Sequence, residues 1–388
     1  MFLKHSVTLS EEASTEKLLK TPLYDCHKES KGRMVPFAGY EMPVQYSGLL
    51  PEHKAVREAV GIFDVSHMGE IVVTGRGALK YLQKMTTNDI DKLEVGQAQY
   101  SALLYENGTF VDDIIIYRRG LDSFLICVNA ANQTKDFAWL EKHKPDSGVI
   151  LEDVSHQYAQ IAVQGPKALE LVQKVVDIPI SGIKYYRFAE GKVLGAPSII
   201  ARTGYTGELG YELYVPSQEA PKIWRGLLEA GQEFGVLPCG LGCRDTLRLE
   251  VAFHLYGQDM DDSVTALEAG LGWIVKVDKG EFIGRDVLVK QKEEGLKKRL
   301  VAFEVNGRGI ARHGYKVFLP GGTEEAGIVT SGTRGPSVEK AIGLAYVPTE
   351  HAKIGNTIEI ENRGKRFEAT LVKKPFYTEG TATKGVSK

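Results

Sequence analysis

The stretch from Tyr100 to Val128 constrains this chain most. Two apolar runs, 100–105 and 110–117, are separated by Glu106-Asn107-Gly108-Thr109. Asn-Gly between such runs is the strongest short-range hairpin signal, because the tight turn needs positive φ at both central residues. A third run, 124–128, follows after Gly120-Leu121-Asp122-Ser123, so the segment predicts a three-strand antiparallel meander. Runs at 198–202 and 211–215 repeat the pattern around a glycine-rich connection. Helices fall between: 52–60, stopped by Gly61; a face of Ala78, Leu79, Leu82 and Met85; 167–176, opened by Pro166; 221–234, ended by Gly235; and 244–252. Strands arriving in hairpins with helices between some of them predict an α+β class with antiparallel sheets, not a doubly wound nucleotide fold.

The texture changes near residue 297. A charged run at 290–298 reads as a linker or an exposed helix end. Six short runs follow, at 299–305, 315–319, 327–331, 342–347, 357–361 and 367–372, punctuated by Asn306-Gly307, Gly321-Gly322 and Arg363-Gly364. Short strands at even spacing with almost no helix predict a small antiparallel β-barrel over 297–380. The first twenty residues carry no long apolar core and no arginine, and read as a loose extension rather than a targeting segment.

Composition removes several classes. The 48 basic and 50 acidic residues sum to −2, without the basic excess of a nucleic-acid binder. No apolar run approaches the ~20 residues that cross a bilayer, so no membrane role is expected. Four cysteines in 388 residues are not a disulfide scaffold. Cys239 and Cys243 lack the histidines or second pair of a zinc site, so no metal is expected. A cytoplasmic protein fits best.

Four segments could carry chemistry. In FVDDIIIY, alternation sends Asp112 and Asp113 to opposite faces, Asp112 with Phe110, Ile114 and Ile116, Asp113 with Val111, Ile115 and Tyr117. Carboxylates among apolar neighbours need a cationic or hydrogen-bonding partner, or a raised pKa; a sheet-crossing salt bridge and a functional role are both open. In RTGYTGELGYE, the spacing is not that of a dinucleotide loop and the segment leads into a strand, leaving a mobile or tightly bent loop. Glu212, just inside the next strand, is either an exposed strand residue or a carboxylate that takes two hydrogen bonds from a guanidinium or an amino-pyrimidine edge. In CGLGCRDTLRLE, Arg244 and Arg248 share a helix face. Arginine in a first turn opposes the helix dipole, so Arg244 needs an anionic or carbonyl partner; Asp245 or Glu250 could be a purely structural one. In FDVSHMGE, Asp64, Ser66 and His67 are the residue types of a hydrolase triad. They crowd within four positions without a nucleophile elbow, so a packed turn is the better reading.

Together these segments resemble one family. PFAGYEMPVQY (36–46), GIFDVSHMGE (61–70), TTND (86–89), VDDIIIY (111–117), VNAAN (128–132), QGPKA (164–168), RTGYTGE and GYE (202–212), CGLGCRDTLRLE (239–250) and KPFY (374–377) are similar, in order, to the T proteins of the glycine cleavage system, tetrahydrofolate-dependent aminomethyltransferases. The resemblance spans 21–377. It implies a three-domain cloverleaf, with two interleaved domains over 21–296 and the barrel after them. It implies transfer of a one-carbon unit from the aminomethyl-lipoyl arm of an H protein to tetrahydrofolate, with release of ammonia. Carried over by motif, Asp113 is the catalytic carboxylate beside the folate nitrogens, and Glu212 and its partner Arg244 hold the pterin edge. Met68, Tyr100, Asn129 and Tyr205 line the pocket. Asp112 is expected to matter for stability more than for rate. The sequence departs from the family at Tyr40, Leu209 and Cys243, and its tail beyond Tyr377 has no aromatics. A folate-dependent demethylase of the same superfamily, or a non-catalytic folate-binding protein assisting iron–sulfur assembly, are the alternatives.

Overall fold

A computed structural model describes residues 17–383. Besides a two-stranded ribbon of Arg33–Phe37 and Tyr40–Gln45, three larger β-bodies carry the chain. The first is a five-stranded antiparallel sheet in the order Gln97–Leu104, Phe110–Gly120, Ser123–Val128, Gly69–Thr74, Ile150–Asp153. Its first three strands are the meander announced by Asn107-Gly108. The second is a six-stranded sheet, Phe188–Val193, Ala196–Ala201, Gly210–Pro216, Tyr158–Gln164, Val60–Asp64, Val236–Pro238, antiparallel but for its last pair. Val60–Asp64 lies in the second sheet and Gly69–Thr74 in the first, so the chain leaves one sheet, builds the other and returns. The third body is a closed six-stranded barrel from Lys298 to Val372, in which Lys298–Val305 pairs with both Ala341–Pro348 and Lys365–Val372.

Each sheet buries one face under helices. Ala78, Tyr81, Leu82 and Met85 of the helix Ala78–Met85 pack on Ile71, Val73, Ile114 and Ile116. Each fully buried aliphatic side chain of this kind contributes ~1.5–3 kcal/mol before entropy is counted. Under the second sheet, Leu171, Val172 and Val175 meet Ile223, Trp224 and Leu227 from the helices Ala168–Val175 and Ala220–Ala230. The expected helix 221–234 is interrupted: its last turn is a 3₁₀ segment, Gln232–Phe234, closed by Gly235 at φ +73°. The expected helix 52–60 runs instead over Leu49–Glu58, because Val60 begins a strand buried on both faces. Of the expected loose extension, residues 1–16 lie outside the described residues. Leu19 is tied to the body: its carbonyl accepts from the Glu41 amide at 2.9 Å and its amide donates to the Gly39 carbonyl at 2.9 Å.

Strict alternation along 110–117 fails at one place. Leu103 faces Asp112 and Leu104 faces Phe110, which leaves Val111 as an extra residue in a bulge. Val111 therefore joins the core of Ile114 and Ile116, while Phe110 packs into a separate cluster toward the barrel.

Candidate active site

The bulge re-aims the strand end just before the two aspartates. Asp113 is half-buried, and both of its oxygens are occupied: Tyr100 Oη donates to Oδ2 at 2.9 Å and Asn129 Nδ2 donates to Oδ1 at 2.8 Å. Among the described residues no cation lies within ion-pair distance of either aspartate, so the sheet-crossing salt bridge is not formed. Burial first, and then the charge of Asp112, push the Asp113 carboxyl up to about 7, while the hydrogen bonds from Tyr100 and Asn129 pull it back. Asp112 is fully buried and accepts from the Asn129 amide at 2.9 Å, Asn129 Nδ2 at 2.9 Å and Asn132 Nδ2 at 2.6 Å. Asp112 and Asp113 are consecutive in the strand, the first buried and the second half-buried. They are not independent, because Asn129 sits beyond the end of the strand Ser123–Val128, where its amide reaches both. Asp112 is thereby tied to Asp113 through one side chain.

Glu212 is the third residue of Gly210–Pro216 and is buried, not an exposed strand residue. Gln160 Nε2 donates to its Oε1 at 3.2 Å and the Thr203 hydroxyl donates to its Oε2. Burial raises its pKa, against the hydrogen bond from Thr203 and the charge of Arg244. The glycine loop before it is tightly bent around one side chain. A Cβ on Gly204 or Gly210 would stand 2.1 Å or 2.2 Å from the Gln164 carboxamide, which donates to the Thr203 carbonyl and accepts from the Thr206 hydroxyl.

Arg244 lies in the first turn of the helix Leu241–Glu250 with its guanidinium 4.6 Å above the Tyr205 ring. The structural partners open to it are spent elsewhere. Asp245 takes Arg248, and Glu250 takes Arg57 and His53. Among the described residues no carboxylate is within ion-pair distance of Arg244; burial lowers its pKa, against the opposing effects of Tyr205 and then Glu212. Tyr205 is held as a wall: its hydroxyl donates to the His254 carbonyl and its ring stacks on Phe253 at 5.8 Å. Met68 is half-buried where two apolar clusters meet.

Hydrogen bonds join Asp113 with Tyr100 and Asn129, a ring contact joins Arg244 with Tyr205, and charge links the two groups. The Tyr205 hydroxyl feels both Arg244 and Asp113, and the Tyr186 hydroxyl feels both Glu212 and Asp113. Sequence reasoning missed Tyr186, whose backbone is left-handed with φ at +59°, and Trp273, which is 60% exposed and stacks on Tyr100 at 5.8 Å. The Tyr185-Tyr186 doublet was a visible signal; the left-handed backbone that aims it was not. The hydrolase reading finds no support. Asp64 accepts from Thr21 and the Ser66 amide and pairs with His27, Ser66 Oγ donates to the Gln160 carbonyl, and the His67 ring meets Phe37 edge-on. Cys239 and Cys243 are free and buried, and no group of three or more His, Cys, Asp or Glu suited to a metal ion occurs among the described residues. Beyond Tyr377 the tail straps the glycine loop: Thr381 Oγ1 donates to Glu208 and accepts from the Leu209 amide.

Comparison with known proteins gives the family. The GCVT N-terminal domain family matches residues 23–279, and the glycine cleavage T-protein C-terminal barrel domain family matches residues 298–378. The aminomethyltransferase of Chloroherpeton thalassium is 50% identical over 92% of this chain and 98% of its own length. That of Geobacillus kaustophilus is 50% identical over 93% and 99%. The crystal structure of the glycine cleavage system aminomethyltransferase T from Bartonella henselae superimposes with a TM-score of 0.89 at 31% identity, covering 94% of this chain and 99% of that one. The chain belongs to the aminomethyltransferase family of the glycine cleavage system.

Proposed function

We propose that Asp113 is the catalytic carboxylate with which this aminomethyltransferase passes a one-carbon unit from the aminomethyl-lipoyl arm of an H protein to tetrahydrofolate, releasing ammonia. The observation that carries the reading is a carboxylate without a cationic partner, gripped on both oxygens by Tyr100 and Asn129. Tetrahydrofolate supplies the two nitrogens that take up the carbon. Asp113 opposes the positive charge that grows as ammonia departs. A fixed charge in a desolvated site acts there far more strongly than it would in water. Tyr100 and Asn129 prevent it from turning away.

The donor set suits a folate. Glu212 offers a carboxylate edge to the amino-pyrimidine, Arg244 has a guanidinium without an ionic partner, and Tyr205, Met68 and Tyr186 supply ring-facing walls. The H-protein partner belongs to this reading as the carrier of the aminomethyl group. A cytoplasmic setting belongs to it as well: all four cysteines are free, as a reducing compartment keeps them, and no described helix is long and apolar enough to cross a membrane.

The test is ammonia release on mixing the protein with aminomethylated, lipoylated H protein and tetrahydrofolate. Release that needs both partners is expected. Release from a methylated amine instead would point to a demethylase, and folate binding without turnover to a binding protein.

A further inference from the structure

Asp136 lies in the first turn of the helix Gln133–His143, fully buried, and neither of its oxygens has a hydrogen-bond donor among the described residues. A carboxylate in such a place would be desolvated without compensation, which proteins avoid. Its neighbour is Asp112, within hydrogen-bonding reach. Asp112 is itself an acceptor three times over, from the Asn129 amide, Asn129 Nδ2 and Asn132 Nδ2. Two ionised carboxylates cannot share that space. A protonated Asp136 resolves both difficulties at once: it gains an acceptor, and it spreads the Asp112 charge.

We infer that Asp136 is a positioning residue that keeps a proton and donates it to Asp112, and that this shared proton holds Asn129, and through Asn129 the Asp113 carboxylate, in working position. Asn129 Nδ2 has two hydrogens. They serve three acceptors, Asp112 Oδ1 at 2.9 Å, Asp113 Oδ1 at 2.8 Å and the Asp113 carbonyl at 3.1 Å, so the Asp112 carboxylate fixes one side of the amide while the other faces Asp113. Burial, together with the charge of Asp112, pushes the Asp136 carboxyl up to about 11, so the proton stays through the neutral range. The pair then carries a single negative charge behind Asp113. A second one there would push the Asp113 carboxyl further up and remove the charge that the chemistry uses. The other titratable groups around the pair are Asp113, Tyr105 and Tyr256, with Lys135 on the same helix donating to Tyr256 Oη at 2.7 Å; Glu152 and Asp153, on the strand packed against the helix, are exposed.

The inference rests on Asp113 as the catalytic group, and the two can fail separately. Two variants test it. Asp136→Asn keeps a donor toward Asp112; Asp136→Leu keeps the volume and removes the donor. The Leu variant is expected to lose about ten- to hundredfold in kcat, the range for a lost hydrogen bond to a charged group, with KM for tetrahydrofolate little changed and the acid limb of the pH profile moved upward. The Asn variant should recover most of that loss. A folded Leu variant with a normal kcat and acid limb, or an Asn variant as impaired as the Leu one, would overturn the assignment. Should the Leu variant not fold, infrared difference spectroscopy between the wild type and Asp136→Asn decides. At neutral pH the wild type should show a protonated carboxylic acid band that the variant lacks, whether or not Asp113 carries the chemistry. An absent band means that Asp136 is ionised and the inference is wrong.

Discussion

Two regions of this molecule bury charge, and they do so in opposite ways. At the junction between the helix Leu241–Glu250 and the barrel, every charge is matched. Arg248 donates to Asp259 at 2.5 Å, to Asp245 at 2.9 Å and to Ser331 at 2.9 Å. Glu250 takes Arg57 at 2.8 Å and the Ser337 amide at 2.7 Å, with Tyr377 of the tail stacked under the Arg57 guanidinium at 4.0 Å. One turn away, Arg244 has no ion pair among the described residues, and Asp113 has only neutral hydrogen-bond donors. The pKa directions follow: Glu250 is held down at about 2 by His53 and Arg57 against burial, whereas Asp113 is pushed up to about 7. Matched charge holds elements together. Unmatched charge is kept at a cost in stability, which is how a site retains something to offer a ligand.

The largest effect should come from breaking the matched side. Arg248→Ala leaves Asp259 fully buried, without its cation, and held only by Thr330, Ser331 and the Leu255 amide. Removing one partner of a buried ion pair costs ~3–5 kcal/mol. Chemical denaturation should register a loss of that size. A stable Arg248→Ala protein would mean that the junction is not what holds the barrel to the helix, and the comparison would collapse.

Next is the unmatched side. Asp113→Asn preserves shape and removes charge, since the Tyr100 hydroxyl can accept from the new amide while Asn129 still donates to its oxygen. Loss of an electrostatic contribution of ~2.7–4 kcal/mol lowers kcat by ~100–1000-fold. Tetrahydrofolate affinity should change little. The acid limb of the wild-type pH profile should fall as pH drops through about 7, where Asp113 takes up its proton, and should vanish in the variant. Near-normal turnover in Asp113→Asn would refute the assignment.

How far the sequence carried this contrast can be traced residue by residue. The meander, the barrel strands and the helix faces were legible because periodicity and Asn-Gly or Gly-Gly turns report local backbone preference. The aspartate pair was legible because acids are out of place in an apolar strand. The division of labour between Arg244 and Arg248 was not: both lie on one helix face, and only the fold brings Asp259 to one of them. The bulge at Val111 was equally hidden, since it depends on the partner strand, as was Asp136, whose peculiarity is a lack of donors in three dimensions. Tyr186 and Trp273 reach the site through connections with no periodic signal.

Arg244→Ala sharpens the comparison from within the helix. Its guanidinium makes no ion pair to lose among the described residues, so the thermal midpoint should move far less than in Arg248→Ala. Tetrahydrofolate binding should weaken about ten- to hundredfold, the range for a lost charge-assisted hydrogen bond of ~1.5–3 kcal/mol. Titration calorimetry beside a thermal melt separates the two outcomes. A large melting shift with unchanged affinity would return Arg244 to the structural side.

The smallest effect is the most discriminating, because its sign runs against the usual one. Asp113→Asn should make the protein more stable at neutral pH even as it loses turnover. The unfolded carboxyl titrates near 3.8 and the folded one at about 7, with burial the main cause and Asp112 the next. Below the lower value both states hold the proton and ionisation of Asp113 costs nothing. Between the two values the folded state binds more proton than the unfolded one, so stability falls as pH rises; above about 7 the whole penalty is in force. Asparagine has no proton to lose. The difference between variant and wild type should therefore grow from pH 4 to pH 7 and then level off. One pKa unit corresponds to ~1.4 kcal/mol, and the amide still has to be desolvated and shares the charge of Asp112 as a neighbour, which leaves a gain on the order of 1 kcal/mol. Denaturation midpoints measured across that range give the curve directly. A flat difference, or a variant less stable than the wild type at pH 8, would show that the Asp113 carboxylate is compensated in the fold after all, and that the site belongs with the matched charges of the junction.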